Sequence, residues 1–63
     1  MTFIELHHNG RPRLINVSRI STIWSEDNDA WIWMVGEPDS LFVDESYNEI
    51  KAKLQEAGFI WNV

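Results

Sequence analysis

The stretch Val43-Asp44-Glu45-Ser46-Tyr47-Asn48-Glu49-Ile50 reads as the end of a strand running directly into a capped helix. Asp44 and Ser46 each offer an N-cap. Ser46 with Glu49 three residues later matches a capping box, in which each side chain satisfies a backbone N–H at the other residue. Asp44, Glu45 and Glu49 also place negative charge near the helix N-terminus, where the dipole favours it. Beyond the cap, Tyr47, Ile50, Leu54 and Ala57 recur at helical spacing, which predicts a helix over residues 45–57 with one apolar face. Glu49 and Lys53 form an i,i+4 pair on the outside. Gly58 supplies the stop as a left-handed C′ residue, with Phe59 placed for the accompanying hydrophobic contact.

Working outward, a second local pattern sits near the start. Residues 3–7 alternate as a strand, with Ile4 and Leu6 on one face. Asn9-Gly10 then gives the strongest short-range hairpin signal, because a type I′ turn needs positive φ at both central residues. A two-residue turn there pairs His8 with Arg11 and Ile4 with Ile15. Pro12 cannot donate to a ladder, which suggests an edge position for the second strand. Asn16 and Ser18 predict a tight turn of 3₁₀ type that inserts Ile20 into the core. A third strand follows over residues 21–24 with Ile23 inward, then a polar acidic loop over 25–29.

Residues 30–35 are the longest apolar run and predict a fourth strand. Trp31 and Trp33 face one way and Ile32 and Met34 the other, so both faces are apolar. One face has to cover the helix; a second subunit is the natural cover for the other. Residues 36–39 form a turn and 41–43 a short fifth strand. The tail, residues 59–63, is apolar enough to return to the sheet or to add to a neighbouring subunit. The expected fold is a single small α+β domain over residues 1–63, with an antiparallel sheet of four to five strands and one C-terminal helix packed on one face.

At 63 residues the chain is one domain at most, and with no cysteine it has neither a disulfide nor a thiolate metal site. A chain this short buries only about 60% of its unfolded surface, so good packing or oligomerisation must supply the rest. There is no basic region followed by an apolar run at the N-terminus and no stretch of membrane-spanning length. The expectation is a soluble, cytoplasmic protein without membrane insertion. The net charge of −5 is unevenly placed. Before Ser25 the only acid is Glu5, against Arg11, Arg13 and Arg19; every other acid follows, offset only by Lys51 and Lys53. An acidic domain is a poor general binder of nucleic acid, because phosphate neutralisation supplies most of that affinity.

Asn9-Gly10, Ile15-Asn16, Ile20 and Ile23, followed by Val43-x-Glu45-Ser46-x-x-Glu49-Ile50, resemble the small FlbD-type flagellar proteins. That family has an Asn-Gly hairpin, a Leu-Asn or Ile-Asn step, spaced isoleucines, and a strand entering a helix through a Glu-Ser pair. The likeness covers most of the chain in order and approximate spacing. It implies the same architecture and a role in flagellar motility. No catalytic residues are assigned to the family, so none are carried over. A phage or mobile-element protein is the alternative setting for the same pattern.

Catalytic constellations are not apparent. His7 and His8 are adjacent and point to opposite faces of a strand, and Glu5 with His7 makes only two ligands on an exposed strand. The acids of residues 26–29 lack the glycine-containing twelve-residue calcium loop. No serine sits in a nucleophile elbow, and the three glycines form no phosphate cradle. The chain is therefore read as a non-enzyme without cofactor or metal. Trp24, Trp31, Trp33 and Trp61 carry more apolar area than so small a domain easily buries, and exposed aromatic area marks partner surfaces. The main expectation is an interaction or regulatory module that self-associates through these tryptophans, as a homo-oligomer or with another protein. The second is a binder or sequesterer of a small anionic ligand such as a nucleotide, with Arg11, Arg13 and Arg19 holding phosphate and a tryptophan stacking on the base. The plainer view of the arginines is solvated surface charge.

Overall fold

The structure is a computed structural model that describes residues 2–59. The element order is β1 (Phe3–His8), β2 (Arg11–Asn16), a 3₁₀ turn (Val17–Arg19), β3 (Ile20–Glu26), β4 (Asp29–Met34), β5 (Leu41–Val43) and α1 (Tyr47–Glu56). The fold class is α+β, as the sequence predicts. The expected pairing of the first hairpin is also found, with His8 opposite Arg11 and Ile4 opposite Ile15. Asn9 at φ 51° and Gly10 at φ 78° supply the two left-handed residues that this turn requires. Asn16 caps the 3₁₀ turn through its side-chain oxygen, which accepts from the Ser18 N–H at 3.2 Å.

The expectation of one continuous sheet is corrected. There are two antiparallel sheets, β1-β2 and β3-β4-β5. Between β1 and β5 the Asp44 N–H donates to the His7 carbonyl at 2.7 Å. The neighbouring ladder positions are taken by side chains. The His7 N–H donates to Glu45 Oε1 at 2.8 Å, and the Phe42 carbonyl accepts from the His8 ring at Nδ1, 2.6 Å away. Backbone groups satisfied in this way have no need of a partner strand, so the sheet stops there.

The acidic loop over 25–29 is also shorter than expected. Glu26 pairs with Asp29, and Asp27 at φ 58° turns the chain with Asn28. Aspartate tolerates this conformation better than most residues. The register of β3 shifts between Ile20 and Thr22. That irregularity lets Ile20 and Ile23 both pack against the core.

The core is formed by Ile4, Leu6 and Ile15 from the hairpin, Ala30, Ile32 and Val43 from the three-stranded sheet, and Ile50 and Leu54 from the helix. The helix covers only one sheet face. Its Ser46–Glu49 capping box is present, which decides between the two candidate caps. The Gly58 N–H donates to Gln55 and the Phe59 N–H to Leu54, closing the C-terminus as a Schellman motif. Of the four residues predicted on the buried face, Ile50 and Leu54 are buried, whereas Tyr47 and Ala57 are exposed. Tyr47, in the first turn, borders Ile23 of β3 at the rim of the core, whereas Ile50 and Leu54 are enclosed.

Ile32 is fully buried at the centre of β4. Replacing it with Ala should cost about 2–5 kcal/mol. A domain of this length has only about 3–9 kcal/mol in total. Thermal unfolding followed by circular dichroism should therefore show a midpoint lowered by 10 °C or more, about 4–8 °C per kcal/mol; an unchanged midpoint would place the core elsewhere.

Candidate functional site

Polar and aromatic side chains gather at two places: the junction where the first hairpin meets the helix start, and the outer face of the three-stranded sheet.

At the junction, the Glu45 carboxylate lies 9% exposed and takes two bonds from one residue. Oε1 accepts the His7 backbone N–H at 2.8 Å and Oε2 accepts from His7 Nδ1 at 2.6 Å. Beside it, the Asp44 carboxylate accepts the Asn9 N–H at 3.1 Å and the Gly10 N–H at 2.7 Å. A left-handed turn of two residues directs its N–H groups outward, and an acid is well suited to meet them. The hairpin turn is thus clasped by two consecutive acids some 35 positions away in sequence. Because Ser46 already caps the helix, Asp44 and Glu45 are free for this task. Surplus acids ahead of a filled cap were the signal in the sequence, although read there as helix-dipole partners.

The charges respond accordingly. Glu45 holds the His7 imidazole above its ordinary value of 6.5, mainly through their side-chain hydrogen bond, with partial desolvation opposing and the charges of Glu45, Glu5 and Asp44 adding to it. Burial pushes the Glu45 carboxyl up, but the hydrogen bonds from His7 outweigh it and leave the group below its ordinary 4.5. The arrangement is a hydrogen-bonded pair in which each partner favours the other's ionised form, and it locks two parts of the chain together.

The outer face of the three-stranded sheet is aromatic. Ala30, Ile32 and Met34 point to the core, so Trp31 and Trp33 point away from it, as expected. Trp24 lies opposite Trp31 in β3 and Phe42 lies opposite it in β5. The Trp24 and Trp31 rings stack with centroids 6.5 Å apart and planes at 13°. Phe42 meets Trp31 edge-on at 5.0 Å, and Trp33 leans on Trp24 at 6.5 Å. Such pairs contribute about 0.5–1.5 kcal/mol each beyond their buried area. Trp33 is 46% exposed, and its indole N–H donates to the Glu37 carbonyl at 3.2 Å. The Trp31 indole N–H is buried and has no acceptor among the described residues. That omission costs about 1–3 kcal/mol. Phe42 completes this cluster and was not singled out in the sequence. The fourth tryptophan, Trp61, lies outside the described residues, as do residues 60–63 of the tail.

The three arginines are not brought together. Arg11 and Arg13 stand on one side of β2 and line a cleft of about 410 Å³ with His8 and Asn9. Arg19 lies beyond the far end of β2, in the 3₁₀ turn, where its carbonyl accepts the Val35 N–H. Arg11 and Arg19 are thus separated by the length of β2, about 15 Å or more of chain. None of Trp24, Trp31 and Trp33 lines the cleft. Among the described residues no group of three or more His, Asp or Glu side chains is placed to hold a metal ion, and no helix is long and apolar enough to cross a membrane.

Comparison with family models, with curated proteins and with solved structures yields no match.

The His7–Glu45 pair makes stability depend on pH in both directions. The Glu45 contribution is present above its unfolded value near 4.5 and fades as pH falls through its lowered folded value. The His7 contribution is complete below 6.5 and fades as pH rises through its raised folded value. The urea midpoint of the wild type should exceed that of Glu45→Gln most between those two values, with the gap narrowing on either side. A gap independent of pH would mean the carboxylate acts by shape alone.

Proposed function

We propose that the protein is a small non-enzymatic interaction module that self-associates through the outer face of its three-stranded sheet. The observation that carries this reading is the contiguous cluster of Trp24, Trp31, Trp33 and Phe42 on a face that no other described element covers. Large aromatics packed centrally in an interface dominate its binding energy. A second copy is the occupant that fits best, because a ring-lined face is self-complementary across a two-fold axis. The half-exposed Trp33 and neighbouring Val35 extend the apolar area toward the edge of the sheet. A stable interface takes about 800 Å² from each partner, so the rings form its centre and the flanking polar residues its rim. Repacking of the face against a second copy would also offer an acceptor to the Trp31 indole N–H.

The net charge of −5 on each copy opposes association. Salt screens that repulsion and strengthens apolar contact, so the complex should tighten as sodium chloride is raised. This behaviour separates an aromatic interface from one held by ion pairs. The resemblance of the hairpin and helix-entry motifs to the FlbD-type proteins supports a flagellar, cytoplasmic setting for such a module. Phage genes beside its own would favour the mobile-element setting instead.

Analytical ultracentrifugation tests the interface. The wild type should sediment as an oligomer at micromolar concentration, and Trp33→Ala should dissociate about 30-fold more readily, corresponding to the loss of one strong interface residue. Trp33 is half exposed, so the variant should keep its fold, which circular dichroism checks. A wild type that stays monomeric at about 100 μM in both low and high salt would overturn the reading; dimers that tight or tighter release about 5 kcal/mol or more.

A further inference from the structure

We propose that the cleft lined by His8, Asn9, Arg11 and Arg13 is a binding site for a phosphoryl group, carried either by free phosphate or by the end of a small phosphate ester. The argument begins with register. His8 and Arg11 face each other across the hairpin, and Arg13 follows Arg11 two residues on, so all three project from the same side of the sheet. Farther along that side, Leu6, Ile15 and Ile4 enter the core. Toward the turn the core ends, and the same side opens into a cleft of about 410 Å³. Pockets for small molecules span about 300–1,000 Å³.

Its chemistry is that of an anion receptor. The two arginines leave the strand about 7 Å apart at the backbone, a spacing from which two long side chains can converge on one oxyanion. Both arginines are exposed, and among the described residues neither has a carboxylate within ion-pair distance; the nearby Glu45 pairs with His7 instead. The Asp44 carboxylate is engaged by the turn N–H groups of Asn9 and Gly10. The His8 ring is held in place by its Nδ1 contact to the Phe42 carbonyl at 2.6 Å, and its Nε2 meets the Asn9 side-chain amide at 3.3 Å. The His8 ring and the Asn9 amide are therefore held in place as the wall of the cleft, and the two exposed arginines supply its charged donors.

Two features define what the cleft would take. On its far side Arg13 also borders a groove that contains Glu37 and Asp39. Those acids repel further negative charge, which favours one phosphoryl group over a polyphosphate chain or a nucleic acid strand. None of the described tryptophans lines the cleft, so among the described residues there is no stacking platform for a base. The remaining acids of the chain matter less, because screening confines their field to about 8 Å at physiological ionic strength.

The site is independent of the aromatic face, and one experiment separates the two. ¹⁵N-resolved NMR titrations of the wild type would use ribose 5-phosphate, inorganic phosphate and ribose as probes. The expected result is saturable shifts at residues 8–13 with both phosphates and none with ribose. Equal affinity for the two assigns the site to free phosphate, and tighter binding of the ester assigns it to a phosphorylated small molecule. The double variant Arg11→Gln/Arg13→Gln should weaken binding at least about tenfold, as expected when charge-assisted bonds to an oxyanion are removed. Trp33→Ala should bind as the wild type does. Absence of shifts at millimolar phosphate, equal shifts with ribose, or undiminished binding by the double variant would each overturn the proposal.

Discussion

The Glu45 carboxylate is the constraint on which the arrangement of this molecule depends. It accepts the His7 backbone N–H and the His7 ring at once, and it does so from a nearly buried position. A carboxylate taken out of water needs such partners, since an unpaired buried charge is among the most destabilising features a small domain can contain. The hairpin therefore cannot move away from the helix start without stranding that group. Asp44 reinforces the clasp by meeting the two N–H groups of the turn. The first hairpin, which shares no ladder with the larger sheet, is positioned chiefly by these two acids and by the apolar contacts of Ile4, Leu6 and Ile15.

That positioning has a consequence for the two surfaces. With the hairpin and the helix committed to the core side of β4, nothing among the described elements covers the opposite side, where Trp24, Trp31, Trp33 and Phe42 pack on one another. Their mutual contacts hide part of their area and leave Trp33 half exposed. The same hairpin is divided electrically. One side places His7 against Asp44 and Glu45, while the other directs His8, Arg11 and Arg13 into an open cleft. The alternation of a strand sends the neighbouring residues His7 and His8 to opposite sides.

Much of this was legible in the chain, and the readable parts share a physical character. The Asn9-Gly10 turn, the Asn16–Ser18 cap, the Ser46–Glu49 box and the Gly58 stop each satisfy backbone groups within a few residues, so their geometry follows from local sterics and hydrogen bonding. The opposite facing of Trp31 and Ile32 follows equally from strand alternation. Where local reading went astray, the packing of the whole chain intervened: Tyr47 and Ala57 have helical spacing but stay exposed, and Asp44 and Glu45 look like helix-dipole partners but serve the hairpin.

By itself, then, the sequence determined the order of the elements, the α+β class, the turn and cap chemistry, and which tryptophans share a side of β4. Only the tertiary structure decided that the strands divide into two sheets, that His7 and Glu45 meet across 38 positions, that Phe42 joins the aromatic cluster, and that Arg19 stands apart from Arg11 and Arg13. The reason lies in range. A turn or a cap closes on itself and is encoded where it occurs, whereas the partner of a buried carboxylate or an aromatic ring is chosen by how the whole chain packs, and no local spacing carries that choice.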